Sequence, residues 1–361
     1  MKKLFIGISL FFFFSGNGQK TENIIIITTD GLRWQDLFKG MDSAIANNSK
    51  FNQGDSSYIF KTYWENDESL RRKKLMPFVW NNISNHGQIY GNRNFGNKVN
   101  NANPYWFSYP GYSEIMTGYA DTTINSNDFP PNPHVTVFEF LNQQPTLKGK
   151  VAAFAAWDAF DRIINEERSG IPVVNGFQPT GGSNPTANEK LINAMLKDSY
   201  KPWGEVECYD VFTHYAALEH LKTRKPKVLY ISYGETDEWA HHSQYRSYLD
   251  AARQVDSWIK QIWDFVQSDP QYKNKTSILF TTDHGRGDKI KEEWTSHGKS
   301  IADASEMWFA VMGTDIPALG EVKKEMQIYQ DQFAQTIAKL MGYTYKAKHP
   351  ISPEIKTVLV K

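Results

Sequence analysis

The stretch "NIIIITTD", residues 23–30, holds four isoleucines and two threonines closed by an aspartate. β-Branched residues in series favour extended backbone. The run shows no polar–apolar alternation, so both faces of the strand must be covered. That is the pattern of a strand inside a parallel sheet. Three more runs read the same way: "VAAFAAWD" (151–158), "KVLYISYGETD" (227–237) and "SILFTTDHG" (277–285). They end at Asp158, at Asp237, and at Asp283 with His284.

Helical patterns separate these runs. Tyr248, Ala252, Val255, Ile259, Ile262 and Val266 follow steps of four and three, one face of a helix. Val211, Tyr215, Leu218 and Leu221 repeat the pattern. Asp331 is expected to cap a helix through Phe333, Ile337 and Leu340, with Gly342 closing it. "MWFAVMG" (307–313) reads as a further strand, and the Asn- and Gly-rich segment 82–103 as a short strand inside loops. Strands alternating with helices predict an α/β fold with a mostly parallel central sheet and helices on both faces. In such sheets ligands bind beyond the carboxyl ends of the strands. Asp30, Asp237, Asp283 and His284 all fall there.

The chain has 361 residues with 40 basic and 40 acidic side chains. Zero formal charge excludes a nucleic-acid binder held by bulk electrostatics. A mean hydropathy of −0.55 suits a soluble, packed protein. "MKKLFIGISLFFFFSGNGQK" opens like a secretory leader, with Lys2 and Lys3, an apolar core from Leu4 to Phe14, and small residues at Gly16 and Gly18. The core is too short to span a bilayer, and no nearby cysteine offers a lipid anchor. We therefore expect a signal peptide at 1–18, export to the periplasm or medium, and no stable membrane anchor. Removing residues 1–18 takes away two lysines and leaves a net charge of −2. Residues 19–361 are expected to form one domain, with 165–209 as a small cap insertion. The single cysteine, Cys208, rules out an internal disulfide and a thiolate metal site.

Taken singly, each candidate ligand is ordinary. An aspartate after a strand is usually a turn residue, and His297 in "WTSHG" is a lone loop histidine. In "DEWAHHS", Asp237 and His241 are four apart and share one side of a helical turn. Together, three strand ends bring carboxylates to one edge of the sheet with histidines close by. Asp and His suit a borderline cation such as zinc. Three aspartates and three histidines suffice for two ions, and two ions about 4 Å apart clamp both oxygens of an in-line phosphoryl displacement. Ser108, in "FSYPGYSEIMTG" (107–118), is then a nucleophile activated by an ion. Pro110 is tolerated in a first helical turn, which puts Ser108 at a helix N-terminus, where free N–H groups favour an anion. The rival elbow of serine hydrolases, G-x-S-x-G, is absent from "WFSYP".

The order of these motifs resembles the alkaline phosphatase superfamily, and most of all its type I phosphodiesterase/nucleotide pyrophosphatase branch. That branch carries an Asp-Gly after the first strand, then a turn like T-F-P-N-H-Y-x-x-x-T-G, matched here by S-Y-P-G-Y-S-E-I-M-T-G from Ser108 to Gly118. D-x-x-x-H, D-H-G and a late His follow in register, over residues 24 to 313. The resemblance implies two divalent metal ions, and the ligand types lead us to expect zinc. Asp30, Ser108, Asp283 and His284 would hold the nucleophile-activating ion, and Asp237, His241 and His297 the second. Asn127 in "TINSND", or Asn125 beside it, would touch phosphate oxygens.

The chain departs from the branch in places. Serine replaces its usual threonine, which preserves the chemistry. Gly111 and Tyr112 replace Asn-His. A sulfatase needs S-x-P-x-R, but position 112 is tyrosine, so conversion to formylglycine is rejected. Some phosphomonoesterases of the superfamily place a Lys-x-Arg clamp near residue 155. Here the loop reads Trp157-Asp158-Ala159, with Arg162 the nearest cation. The aromatics around Ser108 are expected to pack the loop rather than stack on a base. The expectation is an exported two-metal hydrolase of small phosphate esters, favouring diesters, working through a phosphoserine and holding no nucleic acid as a stable partner. The rivals are a phosphomonoesterase, a metal-dependent phosphomutase and a non-catalytic binding protein.

Overall fold

The computed structural model describes residues 20–359. The leader-like segment 1–18 lies outside them. The main sheet has eight strands in the order β10-β2-β9-β7-β1-β6-β4-β5. In chain order its strands are β1 (Asn23–Thr29), β2 (Gly87–Tyr90), β4 (Val151–Ala155), β5 (Val173–Asn175), β6 (Val228–Tyr233), β7 (Thr276–Thr281), β9 (Phe309–Gly313) and β10 (Gly320–Glu321). A smaller sheet pairs β3 (Asn97–Asn100) with β8 (Glu306–Met307) and β11 (Met326–Tyr329). Only β9 runs antiparallel to its neighbours in the main sheet, β2 and β7.

The isoleucine run behaves as its pattern requires. Ile25 and Ile27 enter one apolar core with Leu229, Ile231, Ile278 and Phe280. Ile24 and Ile26 enter the other with Val228, Tyr230 and Leu279. β1 therefore has no wet face. It lies between β6 and β7, parallel to both. Adjacent strands stand about 4.8 Å apart, so residues leaving β1, β6 and β7 at the same end arrive as neighbours.

The Tyr245–Ser268 helix buries all six residues of its predicted stripe. The Asp210–Thr223 helix forms, but its face is turned from the expected one. Val211 and Tyr215 are exposed, while Thr213, His214 and Ala217 join Leu218 and Leu221 inside. His214 is satisfied there by the Tyr233 hydroxyl at 2.9 Å and the Gln261 oxygen at 2.8 Å, so a polar residue holds a core position. The last helix, Phe333–Leu340, closes near Gly342 as read, but Asp331 does not cap it. The Asp331 carboxylate instead accepts from Ser352. The predicted strand over 307–313 is split at Trp308, whose indole donates to Leu32 O at 2.8 Å and pins the loop after β1. Segment 82–103 supplies two strands, β2 and β3. Within 165–209, β5 extends the main sheet beside β4. Among the described residues no helix is long and apolar enough to cross a membrane.

Candidate metal centre

Asp30 follows β1, Asp283 and His284 follow β7, and Asp237 lies on the Glu235–His241 helix after β6. The three central strands thus bring the expected aspartates together. His284 Nε2 is 3.2 Å from Asp30 Oδ1, 3.4 Å from Asp283 Oδ2 and 3.8 Å from Asp237 Oδ1. Asp30, Asp283 and His284 form one ligand-like group, and Asp237, His284 and His297 another.

Ser108 is the first residue of the Ser108–Thr117 helix, as its proline predicted. Its Oγ lies 3.5 Å from His284 Nε2, which brings it to the first group. Gly111 is needed because a Cβ there would sit 2.5 Å from Asp283 O. Tyr112 donates to Asp30 Oδ2 at 2.9 Å. The two departures from the branch pattern therefore have local reasons: one makes room for the Asp283 carbonyl and the other holds Asp30. Tyr109 and Tyr112 are fully buried, in keeping with a packing role. Asn127 reaches the same turn, where its Oδ1 accepts from Tyr109 N at 3.0 Å. Arg162 donates to Phe129 O at 2.7 Å and more weakly to Asn127 O at 3.4 Å. It ties down the Asn127 loop.

The second group differs from the expected set. His241 Nε2 is 3.0 Å from Asp237 Oδ2 and 2.9 Å from His297 Nε2, so all three expected residues meet. His284 also borders this group, and its ring stacks on His297 with centroids 4.0 Å apart. His242 turns away and bonds Glu238 O. Asp158, which closes the fourth run, is exposed and belongs to neither ligand-like group.

Several residues at the centre were not anticipated. Arg286 is buried and pairs with Asp237 Oδ1, while its Nη2 also donates to Asp237 O at 3.1 Å. Its only sequence signal is its place two residues after His284. Gly31 takes φ +59° and donates its N–H to Asp283 Oδ1 at 3.1 Å. A Cβ at Gly31 would lie 2.6 Å from Asp237 Oδ1. Asn101 and Gln330 both donate to Asp283 O, at 2.7 and 3.0 Å. Glu207 comes in from the 165–209 segment, and its carboxylate packs against Gly234, where a Cβ would collide with Oε1. Gly31 stands in the Asp-Gly of the motif, whereas nothing in local pattern marks the contacts of Arg286, Asn101, Gln330 and Glu207, because each is made with a distant element.

The electrostatics fit bound cations. Asp30 Oδ1 and Asp283 Oδ2 are buried without a hydrogen-bond partner. Burial and then the charge of Asp237 push Asp30 upward. Burial and then Asp30 push Asp283 well above the carboxylate range. Burial alone would lower His284, but Asp283 and Asp30 outweigh it and hold the imidazole at about 9. For Asp237 burial is outweighed by Arg286 and then His241, and its carboxyl sits well below the usual range. Carboxylates packed this closely need positive charge among them. Oxygen and imidazole ligands of this kind suit divalent metals.

Residues 154–301 match the Metalloenzyme superfamily. No curated protein sequence matches the chain. Among solved structures the chain is similar to the wild-type alkaline phosphatase PafA, with 8% identity and a TM-score of 0.61 over 94% of this chain and 99% of that one. It is similar to murine ectonucleotide pyrophosphatase/phosphodiesterase 5 in an inactive form with AMP, with 12% identity and a TM-score of 0.53 over 93% and 98% of the two chains. It is also similar to the lipoteichoic acid synthase LtaP from Listeria monocytogenes, with 13% identity and a TM-score of 0.52 over 90% and 73%. At these identities the likeness is one of fold. The chain has an alkaline phosphatase-like fold, and its segment 154–301 matches the family model of the Metalloenzyme superfamily.

Proposed function

We propose that this protein is a two-metal hydrolase of small phosphate esters, with a preference for diesters. The observation that carries the reading is the position of Ser108. Its hydroxyl opens a buried helix and lies 3.5 Å from His284 Nε2, beside carboxylate oxygens that lack partners. Asp30, Asp283, His284 and Ser108 would hold one ion, and Asp237, His241 and His297 the other. Zinc suits these ligands. Bound ions would supply Lewis acidity, lower the serine pKa and neutralise developing charge on the ester oxygens.

The protein's own residues do the rest. At the helix N-terminus the Tyr109 and Gly111 amides are bonded to Asn127 Oδ1 and Phe107 O and Pro110 carries no N–H, which leaves the Ser108 amide to meet an anionic phosphoryl group. Asn127 stands beside that turn and is placed to touch phosphate oxygens. Ser108 Oγ attacks phosphorus in line, the Oγ–P bond forms and the bond to the leaving oxygen breaks. Water then cleaves the phosphoserine. Tyr112 keeps Asp30 oriented throughout. The diester preference is supported by the absence of a Lys-x-Arg pair after β4 and by Arg162, whose Nη1 is turned to the carbonyls of Phe129 and Asn127. Tyr112 in place of arginine argues against sulfate ester chemistry through formylglycine. The leader-like segment 1–18 supports export, with 19–361 as one catalytic domain.

Replacing Ser108 with Ala is expected to abolish nearly all turnover of bis-p-nitrophenyl phosphate while metal content stays intact. Unchanged turnover would overturn the covalent mechanism. The ratio of kcat/KM for that diester to p-nitrophenyl phosphate tests the substrate class. A strong monoester preference would move the protein to the phosphatases.

A further inference from the structure

The Glu235–His241 helix has two working sides. Asp237 and His241 face the metal centre. Glu235 and Trp239 are each two residues away from these, so they project from the opposite side. There they line a cavity of about 510 Å³ together with Asp210, Tyr215, Asp250 and Trp258. This surface combines three carboxylates with three aromatic rings, and among the described residues lining it none is basic.

The walls are held in place before any ligand arrives. Trp239 Nε1 donates to Glu235 Oε2 at 3.0 Å. Trp258 stacks on His214 at 4.8 Å. Asp210 and Glu235 cap each other's helices: Gly234 N and Glu235 N donate to the Asp210 carboxylate, and Asp210 N donates to Glu235 Oε1. The two acidic side chains are thus fixed near each other by peptide groups, not by side-chain cations. Asp250 accepts from Tyr58 and Tyr63, and its other oxygen has a long 3.5 Å pair with Arg246.

A second cavity of about 480 Å³ adjoins the first through the shared residues Val211 and Tyr215. Its lining includes Leu191, Met195 and Leu218, and Leu191 and Met195 are 60% and 55% exposed. The outward turn of the Asp210–Thr223 helix creates this surface, since Val211 and Tyr215 stand where a core face was expected. An acidic aromatic chamber and a mostly apolar one, which also carries Glu219 and Lys222, thus lie against the same wall of Val211 and Tyr215.

We propose that the two chambers form a binding site for an organic ammonium ion carrying an apolar arm, separate from the metal centre. The cation would lie among the rings of Tyr215, Trp239 and Trp258 and face the carboxylates of Glu235 and Asp250, while the buried Asp210 fixes the helix that carries Glu235. Aromatic rings and carboxylates together attract alkylated ammonium groups, which are too weakly hydrated to prefer water. The arm would cover Leu191 and Met195. The site lies across a helix from the ligands, so the ammonium is not the reacting end of a substrate held at Ser108.

The test is calorimetric titration of the full metal-loaded chain with choline, with its neutral carbon isostere 3,3-dimethylbutan-1-ol, and with hexyltrimethylammonium. Choline is expected to bind at least about tenfold tighter than the isostere. Hexyltrimethylammonium is expected to bind about tenfold tighter again, because several methylenes leave water. Asp250→Asn and Tyr215→Ser, both at residues with solvent exposure, are each expected to weaken choline binding by about three- to tenfold with unchanged metal content. Equal binding of choline and its isostere would overturn the proposal, as would unchanged binding by both variants or no binding of any probe. The readout is independent of turnover. A phosphoesterase that binds none of the probes refutes this site alone, and a protein that binds them without phosphoesterase activity refutes only the proposed reaction.

Discussion

The two halves of the candidate metal centre use the same residue types in different surroundings. In the inner half the side chains of Asp283 and His284 are fully buried and that of Asp30 is 9% exposed. Two of its carboxylate oxygens have no partner. In the outer half Asp237 and His297 are 13% and 12% exposed, and His241 reaches 41%. There Arg286 already neutralises Asp237. The difference shows that a ligand set is defined by its charge balance as well as its residue types. The inner half is short of positive charge, and the outer half carries a cation of its own. An ion is therefore expected to bind tightly inside and more weakly outside.

The largest test of this comparison is Asp283→Asn, which keeps the side-chain shape and removes a charge. We expect loss of the tight ion and a fall in kcat/KM on the diester of more than about 100-fold, beyond what outer-shell partners contribute. Full metal content by elemental analysis would break the comparison. Arg286→Met comes next. It takes the guanidinium away from the largely buried Asp237 and leaves only histidines beside it in metal-free protein, at a cost of about 3 kcal/mol. An outer ion would restore that charge balance, so the melting temperature gained on adding zinc to chelator-treated protein is expected to be larger in the variant than in the parent. An equal gain would mean that Arg286 and the outer ion do not share Asp237.

His241→Ala acts at the exposed rim. It is expected to weaken only the second metal equivalent, by about tenfold, while the first stays bound. Competition with a graded chelator reads this directly, and loss of both equivalents together would show that the halves are not separable. The smallest effect is expected for Tyr112→Phe, which removes one hydrogen bond to Asp30 and costs about 1 kcal/mol in stability. Denaturant unfolding of the metal-free protein checks it.

Much of this arrangement is legible in residue order. Ile24 to Ile27 announce a strand covered on both faces, and the aspartates and histidine that follow such runs lie at one edge of the sheet. The serine before Tyr109-Pro110 opens a helix because proline fits a first turn. Other features are invisible locally. The Asp210–Thr223 helix was read with Val211 and Tyr215 inside, since apolar spacing alone cannot weigh a histidine that finds two buried partners. Arg286 is an unremarked charge in the sequence, and its role depends on Asp237, which lies 49 positions earlier.

Residue order alone marked the four buried strands β1, β4, β6 and β7, the stripe of the Tyr245–Ser268 helix and the side chains that follow those strands, because these follow from backbone geometry over a few neighbouring residues. The tertiary structure decided which of those side chains meet, which charge is compensated from within, and which helix face is left to line a cavity. Those outcomes depend on burial and Coulomb interactions between groups far apart in the chain, and only the packed sheet brings such groups within reach.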